Sequence, residues 1–375
     1  MPKSRLIAGL DIGSSKIRTV VCTLDEKSPV PNVIGVGVAP SFGLRKGSVI
    51  DVEETINSIS SSLEDAERMA GEPIHNVFLG IGGTHLASQD SKGVIAVSHS
   101  GNEISEEDVD RVLEAAQAVS IPNNRRILRI IPKSFTVDEQ KGIKYPVGMT
   151  GIRLEVEAHL VTGLTPAVKN LEKCVHQAGV DINDVIPSGL AAAEAILSKR
   201  QKELGVVVID VGCGGTSISV FEEGTTLQTA VIPVGGADQK KIVDQNTAEK
   251  NKLLAQTKNN EANYQKLVKD QLAKIHRDGM LPAGAILTGA AIKMPGVVDL
   301  ARDTLNLPVQ IGFPQNFEGV VDKIDDPAYA TAIGLALWGA RFEGHAGSGY
   351  GFDLKGIKMD KVLGGVKNWI KGLLP

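Results

Sequence analysis

Residues Leu6 to Leu24 read LIAGLDIGSSKIRTVVCTL, and residues Val206 to Glu222 read VVVIDVGCGGTSISVFE. Each stretch contains an apolar strand that ends near an aspartate, a short polar loop with glycine, and a second strand with alternating apolar residues. One glycine turn of this kind is usually no more than the turn of a β-hairpin. The same design in both halves of the chain is more specific, and it predicts a duplicated α/β fold with two hairpins that face each other.

The two loops have the composition of a phosphate clamp. Glycine lets backbone amides approach a ligand closely, and the hydroxyl groups of Ser14, Ser15 and Thr216 can donate hydrogen bonds. An aspartate before each loop, Asp11 and Asp210, can hold Mg²⁺ through water. The pair of hairpins therefore predicts a polyphosphate site with magnesium.

Three further segments fit a two-lobed nucleotide clamp. Val185 to Leu197 (VIPSGLAAAEAIL) predicts a helix of small residues that packs closely between lobes. Pro233 to Gly236 ends a strand with two glycines, and Ala285 to Gly296 (AILTGAAIKMPG) predicts a strand and a small-residue turn against which an adenosine could lie.

Composition excludes several classes of function. The chain has 375 residues with 42% hydrophobic content, enough for two or more domains. A net charge of −4 argues against a nucleic-acid-binding protein, and the seven histidines form no metal-binding motif. Three widely spaced cysteines, together with the absence of a secretory signal or transmembrane run from the sequence, predict a protein of the cytosol.

The segment Ile357 to Leu374 (IKMDKVLGGVKNWIKGLL) predicts an amphipathic helix at a lipid surface. The apolar face comprises Met359, Val362, Leu363, Val366, Trp369, Ile370, Leu373 and Leu374. The lysines that flank or oppose it are Lys358, Lys361, Lys367 and Lys371. A helix docked on the protein's own core is the alternative, but the glycine-rich stretch before it, 342–356, is typical of a flexible tether and favours an anchor on anionic lipid.

These motifs resemble the actin, Hsp70 and hexokinase superfamily, and within it the FtsA family of bacterial cell-division proteins. The more specific resemblance lies in NVFLGIGGTHL (Asn76 to Leu86), EISEEDVDRVLEAA (Glu103 to Ala116) and VTGLTPAVKNLEKCVHQAGV (Val161 to Val180). It covers nearly the whole chain. The resemblance implies an actin-like ATP-binding protein that polymerises at the division site, on the cytoplasmic face of the cell membrane, and tethers the FtsZ ring there through the C-terminal tail of FtsZ.

The resemblance also implies a division into subdomains. Residues 1–83 and 161–204 would form lobe 1 (subdomain 1A), and 205–236 with 280–341 would form lobe 2 (subdomain 2A). Residues 84–160 would form the inserted subdomain 1C. Its elements would be the strands Val94 to Ser98, Ile127 to Ile131 and Leu154 to His159 and the helix Glu106 to Val119. Subdomain 1C would contact the next subunit and other division proteins. Residues 237–279 would form a reduced 2B, 342–356 the linker and 357–374 the membrane-targeting helix.

Site residues follow from the same resemblance, position by position. One side of the phosphates and magnesium would be held by Asp11, Gly13, Ser14, Ser15 and Lys16. The other side would be held by Asp210, Gly212, Gly214, Gly215 and Thr216. Gly235 and Gly236 would approach the nucleotide between the lobes, and Gly289, Ala290 and Ala291 would face the adenosine. Glu249 and Lys252 would contact the nucleoside, although the charge pattern itself favours a solvated face. As a catalytic candidate, Glu194 could position a water, but a structural role is favoured for it.

Two departures from the family pattern affect the interpretation. The family usually has three glycines where this chain has Gly289-Ala290-Ala291, and the added methyl groups would crowd the base or ribose. About fifty residues separate Gly236 from Thr288, which is roughly half the family's usual length. The remaining segment, Gln239 to Asp278, predicts one or two exposed helices instead of a sheet, so the family's surface for the FtsZ tail is incomplete.

Three other functions stay open at the level of sequence. The first is a scaffold of the same fold that has lost ATP binding or FtsZ binding. The second is an adaptor of pilus assembly, and the third is a sugar or acetate kinase of the superfamily. The FtsA-like interpretation itself predicts ATP binding with at most slow ATPase activity. A kinase would need an acidic base in the first lobe, and it would not need a lipid-surface tail.

Overall fold

The apolar stretches of the sequence form strands that are joined by helices. The structure is a computed structural model, and it describes residues 5–25, 28–98, 101–118, 121–236, 267–293 and 297–343. The strands, numbered along the chain, are β1 (Arg5–Ile12), β2 (Lys16–Asp25), β3 (Ser28–Pro40), β4 (Leu44–Arg45), β5 (Ser48–Val49), β6 (Asn76–Ile81), β7 (Leu86–Ala96), β8 (Arg125–Val137), β9 (Gln140–Ile143), β10 (Arg153–Leu164), β11 (Asp181–Pro187), β12 (Val206–Val211), β13 (Thr216–Glu222), β14 (Thr225–Ile232), β15 (Ala285–Thr288), β16 (Val309–Ile311) and β17 (Glu318–Gly319). The helices are α1 (Val52–Ala70), α2 (Glu106–Gln117), α3 (Thr165–Gln177), α4 (Ser188–Ile196), α5 (Lys199–Leu204), α6 (267–274), α7 (Val297–Leu305), α8 (Val321–Ile324) and α9 (Ala330–Glu343). Short 3-10 helices cover Ala290–Lys293 and Pro327–Tyr329.

Two sheets with the same topology form the centre of the molecule. The sheet of lobe 1 has the order β3-β2-β1-β6-β11, with β17 beside β3, and the sheet of lobe 2 has the order β14-β13-β12-β15-β16. In each sheet the first three strands along the chain are antiparallel neighbours, and the next two pair in parallel. This repeated order confirms the predicted duplicated α/β fold, in which each lobe has the ribonuclease H-like topology of actin-like proteins.

Two helices fill the space between the sheets. Every residue of α4 is buried, and its alanines join one apolar cluster with strands of both lobes and with α9. The two helices cross so closely that a Cβ on Gly334 would collide with the carbonyl oxygen of Ala191. The small residues of VIPSGLAAAEAIL therefore serve close packing between the lobes, as predicted.

The insertion between β6 and α3 is an α/β unit of its own. Its sheet has the order β7-β10-β8-β9, and α2 packs on one face of that sheet with Val109, Val112 and Leu113 buried. Ser105 begins α2 in a capping box with Asp108. The strands and the helix predicted for this unit are all present, and β8 and β10 are longer than the sequence pattern indicated.

The inserted unit contacts lobe 2 as well as lobe 1. The backbone N–H of Thr229, on edge strand β14, donates to Nε2 of the buried His159 at 3.1 Å. Nδ1 of His159 therefore carries the proton and donates to Asp90 Oδ1 at 2.8 Å. The Ser88 hydroxyl donates to the Thr229 carbonyl oxygen. These contacts attach the insertion to the strand that leads into the Gly235-Gly236 loop.

Part of the predicted 2B region and the whole predicted tail helix lie outside the described residues. The described part of this region contains the predicted helix, α6, but one face of α6 is buried and the helix is not exposed as predicted. Val268 and Leu272 are buried in the core of lobe 2, because their i, i+4 spacing places both on the face that meets the sheet. No helix in the described ranges has the length and apolarity needed to cross a bilayer.

Candidate nucleotide site

The two glycine turns meet between the lobes. Asp11 and Asp210 are the next-to-last residues of β1 and β12, so each carboxylate stands beside its own turn. A Cβ added to Gly214 would lie 2.8 Å from Ser14 Oγ, which shows that the second turn approaches the first without room for a side chain. The predicted arrangement of two facing hairpins is confirmed.

The two aspartates interact electrostatically across the lobes. Burial raises the pKa of Asp11 to about 6, although the Arg18 guanidinium opposes that shift. Burial and, to a smaller extent, the nearby Asp11 carboxylate together raise the pKa of Asp210 to about 7, against the opposing effects of Arg18 and the Thr331 hydroxyl. Two half-buried carboxylates that repel each other favour a cation or a proton between them.

The donor set fits magnesium bound to a nucleotide. Mg²⁺ keeps several waters and commonly binds through one or two carboxylates together with phosphate oxygens. Asp11 and Asp210 supply those carboxylates, and the described residues contain no cluster of three or more acidic, histidine or cysteine side chains that would form an all-protein site. Asp11 and Asp210 thus fit Mg²⁺ held through water, and their role as magnesium residues stays a prediction.

The glycine loop after β14 and the turn after β15 come together on the lobe 2 side. The Gly236 N–H donates to the Gly212 carbonyl oxygen at 2.9 Å, and a Cβ on Gly236 would lie 2.7 Å from the Ala291 methyl carbon. Gly289 has φ +94°, and a Cβ there would collide with Asp210 Oδ1. Gly289 is buried and packs directly against the Asp210 carboxylate. Ala290 is exposed, and Ala291 is half-buried beside Gly236.

Thr216 bonds to the glycine loop after β14. Its side chain is fully buried, and its hydroxyl donates to the Val234 carbonyl oxygen at 2.9 Å. The hydroxyl is therefore occupied in fixing the glycine loop and does not face the space between the turns. This hydrogen bond does not support a contact from the Thr216 hydroxyl to the phosphates, and the role of Thr216 in holding them stays a prediction.

Glu194 forms ion pairs with two basic residues. It pairs with Lys202 of α5 at 2.9 Å and with Arg341 of α9. Lys202 in turn lies over the Phe221 ring, and Phe221 pairs with Val206 at the opposite end of β12 from Asp210. These ion pairs favour the structural alternative for Glu194, and its role in positioning a water stays a prediction without support from these contacts.

The remaining predicted residues of the first turn line the mouth of the site. Gly13 and Ser14 are half-buried, whereas Ser15 and Lys16 are exposed. In the second turn, Gly212, Gly214 and Gly215 are all half-buried. Glu249 and Lys252 lie outside the described residues.

The sequence interpretation missed Lys46, Arg18 and Thr331. Lys46 Nζ donates to the Pro233 carbonyl oxygen at 3.0 Å, and the Thr331 hydroxyl donates to Asp210 Oδ2 at 3.5 Å. Arg18 moderates the charge of both aspartates and lies over the Tyr329 ring at 5.4 Å. A Lys-Gly pair between Leu44 and Val49 is a hairpin signal that could have drawn attention to Lys46.

Comparisons with known proteins point to one family. A family model described as the SHS2 domain inserted in FTSA matches residues 83–162, and one described as cell division protein FtsA matches residues 207–334. Cell division protein FtsA of Pseudomonas aeruginosa is 34% identical over 98% of this chain and 98% of its own length. The Bacillus subtilis protein of that name is 37% identical over 94% of this chain and 88% of its own length. The Escherichia coli K12 protein is 30% identical over 98% of this chain and 96% of its own length.

The solved structures that resemble this chain share its fold. The PilM-PilN type IV pilus biogenesis complex contains a chain with a TM-score of 0.66 and 16% identity, over 89% of this chain and 98% of that one. The ethanolamine utilization protein EutJ from Carboxydothermus hydrogenoformans has a TM-score of 0.52 and 15% identity, over 90% of both chains. At such identities the likeness supports the actin-like fold alone.

Proposed function

This chain belongs to the FtsA family of cell-division proteins, and on that premise we propose that it binds magnesium ATP between its lobes and forms filaments on a membrane. It is an actin-like cell-division protein. The bound nucleotide, the membrane surface and the individual partners are the parts of the function that we propose.

One observation carries the nucleotide proposal: two glycine turns from duplicated hairpins meet beside two mutually repelling aspartates. The backbone amides of such turns are suited to phosphate oxygens, and Mg²⁺ would balance the charge of the carboxylates. Gly235, Gly236 and Ala291 would form the neighbouring surface for the nucleoside. The methyl group of Ala291 stands beside Gly236, so the adenosine would pack against a surface that is tighter than one made of three glycines.

We assign the nucleotide a role in assembly. The sequence offers no persuasive general base, and Glu194, which could position a water, is bound in ion pairs with Lys202 and Arg341. Binding between two lobes stabilises one relative arrangement of those lobes, and that arrangement can favour contacts with the next subunit. On this proposal, ATP selects the assembly-competent conformation, and any hydrolysis is slow.

Calorimetric titration of the full chain with magnesium ATP tests the nucleotide proposal. Wild-type protein is expected to bind, and Asp210→Ala is expected to bind at least about tenfold more weakly, because it removes one of two carboxylates for the metal. Asp303→Ala, at an exposed position of α7, is the matched control and is expected to bind as wild type does. Equal affinity of wild type and Asp210→Ala would refute the metal role.

The sequence of residues 357–374 supports the membrane proposal. Eight apolar side chains, half-buried at about 1 kcal/mol each, and four lysines near anionic lipid would together offset the cost of forming the helix. The net affinity of one tail is modest, so firm attachment would require several tails on one filament. Membrane binding and polymerisation would thus reinforce each other at the cytoplasmic face of the cell membrane.

Co-sedimentation with vesicles that contain anionic lipid tests the anchor. Trp369→Glu is expected to release the protein without lowering its thermal unfolding temperature, since a charge at the apolar face opposes insertion. Asn368→Glu, one position away in the helix, is the control for added negative charge and is expected to release less protein. Unchanged sedimentation of Trp369→Glu would refute the anchor.

The proposed partners are other copies of this chain, division proteins that contact the inserted unit, and FtsZ. The alignment with the P. aeruginosa protein spans 414 positions, more than the 375 residues of this chain, so that relative contains residues that this chain lacks. Tethering of FtsZ would then use what remains of the 2B region. Fluorescence anisotropy with a labelled FtsZ C-terminal peptide measures this contact directly, and lack of binding at high protein concentration would remove FtsZ from the list of partners.

A role as a pilus-assembly adaptor is the second candidate, and the likeness to a chain of the PilM-PilN complex favours it. That likeness is one of fold at 16% identity, whereas relatives named FtsA reach 30 to 37%. The identity therefore favours cell division.

A further inference from the structure

A short hairpin, made of strands β4 and β5, lies against both glycine turns. Strands β4 and β5 pair Leu44 with Val49 and Arg45 with Ser48, which leaves Lys46 and Gly47 as the turn. These two residues have φ +50° and +81°, the left-handed conformations that a type I′ turn requires. Leu44 is buried in the core of lobe 1 and fixes the hairpin to that lobe. Lys46 is therefore held at the tip of a rigid element.

The tip fits tightly among three other elements of the site. The Gly47 N–H donates to Ser14 Oγ at 3.3 Å in the first turn. A Cβ on Gly47 would collide with the Gly82 carbonyl oxygen, just after β6. A Cβ on Gly214, in the second turn, would lie 3.2 Å from the Cα of Lys46. The backbone of Lys46 thus stands where the two phosphate turns meet.

The side chain of Lys46 crosses from lobe 1 to lobe 2. Its ammonium donates to the carbonyl oxygen of Pro233 at 3.0 Å, and Pro233 begins the loop that contains Gly235 and Gly236. Among the residues that the structure describes, no carboxylate lies within ion-pair distance of this ammonium. A lysine prefers an anionic partner, and its long flexible stem allows the ammonium to move between neighbouring acceptors.

We propose that Lys46 is a phosphate-binding residue that contacts the terminal phosphate of a nucleoside triphosphate between the two turns. This inference rests on the proposed nucleotide function and extends it to a residue outside the two turns. In the absence of nucleotide, the ammonium bonds to Pro233. With a triphosphate present, it transfers to the phosphate, and the phosphate then joins the hairpin tip of lobe 1 to the turn of lobe 2. A diphosphate lacks the group that Lys46 contacts, so the residue distinguishes the two nucleotides.

Titration calorimetry of the full-length chain with magnesium ATP and magnesium ADP tests the proposal. Lys46→Asn is the main variant, because asparagine tolerates the left-handed conformation of this turn. Lys46→Gly is a second variant with the same tolerance, and Lys46→Arg keeps the charge. Arg45→Asn is the matched control, since it removes a positive charge from an exposed residue of the same hairpin.

The expected result is a loss of discrimination between nucleotides. Lys46→Asn and Lys46→Gly should weaken ATP binding at least about tenfold and change ADP binding by less than about twofold, because a charge-assisted bond to one phosphate is lost. Lys46→Arg should retain most of the affinity for ATP, and Arg45→Asn should behave as wild type. Thermal unfolding of each variant shows whether the fold is intact.

Two results would overturn the proposal, and they differ from each other. In the first, wild type binds ATP, and Lys46→Asn and Lys46→Gly either bind ATP as tightly as wild type or lose affinity for ATP and ADP to the same extent. Lys46 would then only connect the lobes and would not contact the terminal phosphate. If wild-type protein binds neither nucleotide, the nucleotide function itself fails and the role of Lys46 fails with it.

Discussion

Replacing Asp210 with asparagine should stabilise the nucleotide-free protein while it weakens binding of magnesium ATP. Asparagine has nearly the same shape as aspartate and carries no charge, so the substitution removes the repulsion between Asp210 and Asp11. It also removes the cost of burying a carboxylate. A residue with a purely structural role would show the opposite effect on stability.

The magnitude follows from the pKa of Asp210. Burial and the Asp11 carboxylate raise this pKa from 3.8 to about 7, which is about three pH units. At about 1.4 kcal/mol per unit, the ionised carboxylate would destabilise the fold by about 4 kcal/mol at pH 8. Because Asp210 is half-buried and keeps part of its hydration, we expect about half of that amount, or an increase of about 3 °C in the unfolding temperature of Asp210→Asn.

The pH dependence gives the prediction its sign. The folded-state pKa of Asp210 is raised, so the folded protein binds more protons than the unfolded chain between about pH 4 and pH 7. The free energy of unfolding of wild type therefore falls as the pH rises through that window. Asp210→Asn lacks this decrease, and the difference between the two proteins should be largest at pH 8 and shrink as the pH falls from 7 towards 4.

Thermal unfolding in EDTA, without nucleotide, at pH 8 and at pH 4.5 measures this difference. Asp303→Asn, on the exposed face of α7, is the control for removing a carboxylate and should leave the unfolding temperature within about 1 °C of wild type. An Asp210→Asn protein less stable than wild type at pH 8, or a stability difference that does not change with pH, would refute the reasoning.

Three further predictions concern the surroundings of the site. His159→Leu should lower the free energy of unfolding in urea by about 2 kcal/mol, since it leaves the buried N–H of Thr229 without a partner. His75→Leu, at an exposed histidine, is the control. Equal losses of stability in both variants would contradict the role of the contact. Cys213 should be the cysteine that reacts with a thiol reagent, because Cys22 and Cys174 are buried. Magnesium ATP should slow the reaction, since Cys213 lies in the second glycine turn. A reaction rate unaffected by ATP would place the nucleotide elsewhere. Gly334→Ala should destabilise the protein by more than about 3 kcal/mol in thermal or urea unfolding, because the added methyl group would collide with the backbone of α4. Gly71→Ala is the control: its added methyl group meets no other atom, so the positive φ alone should cost about 1 kcal/mol. Similar losses of stability in both variants would contradict the tight crossing of α4 and α9.

Much of the fold could be predicted from local patterns. The hairpins around Asp11 and Asp210 combine an apolar strand, a glycine turn and an alternating strand, so their structure is encoded within about 20 residues. The alanines of α4 predicted close packing because a helix without large side chains can approach another backbone. Helix α2 has its own cap, and its apolar spacing marks the face that meets the sheet of the inserted unit.

Local patterns could not show the contacts that residues distant in sequence make with a side chain. The Thr216 hydroxyl is taken up by the carbonyl of Val234, and the partners of Glu194 come from α5 and from α9 near the end of the described chain. Helix α6 looked exposed because its sequence is polar and rich in lysine, yet two residues four apart are enough to attach it to lobe 2. Lys46 was missed because only the folded hairpin brings it to the two turns.

Cryo-electron microscopy of the full chain on an anionic lipid monolayer, with magnesium ATP and without nucleotide, tests the central claim most directly. The account predicts filaments on the lipid with ATP, few or none without it, and loss of the layer when residues 357–375 are deleted. Dispersed protein under both conditions, or filaments that form equally well without nucleotide, would contradict the claim that ATP between the lobes drives assembly at the membrane.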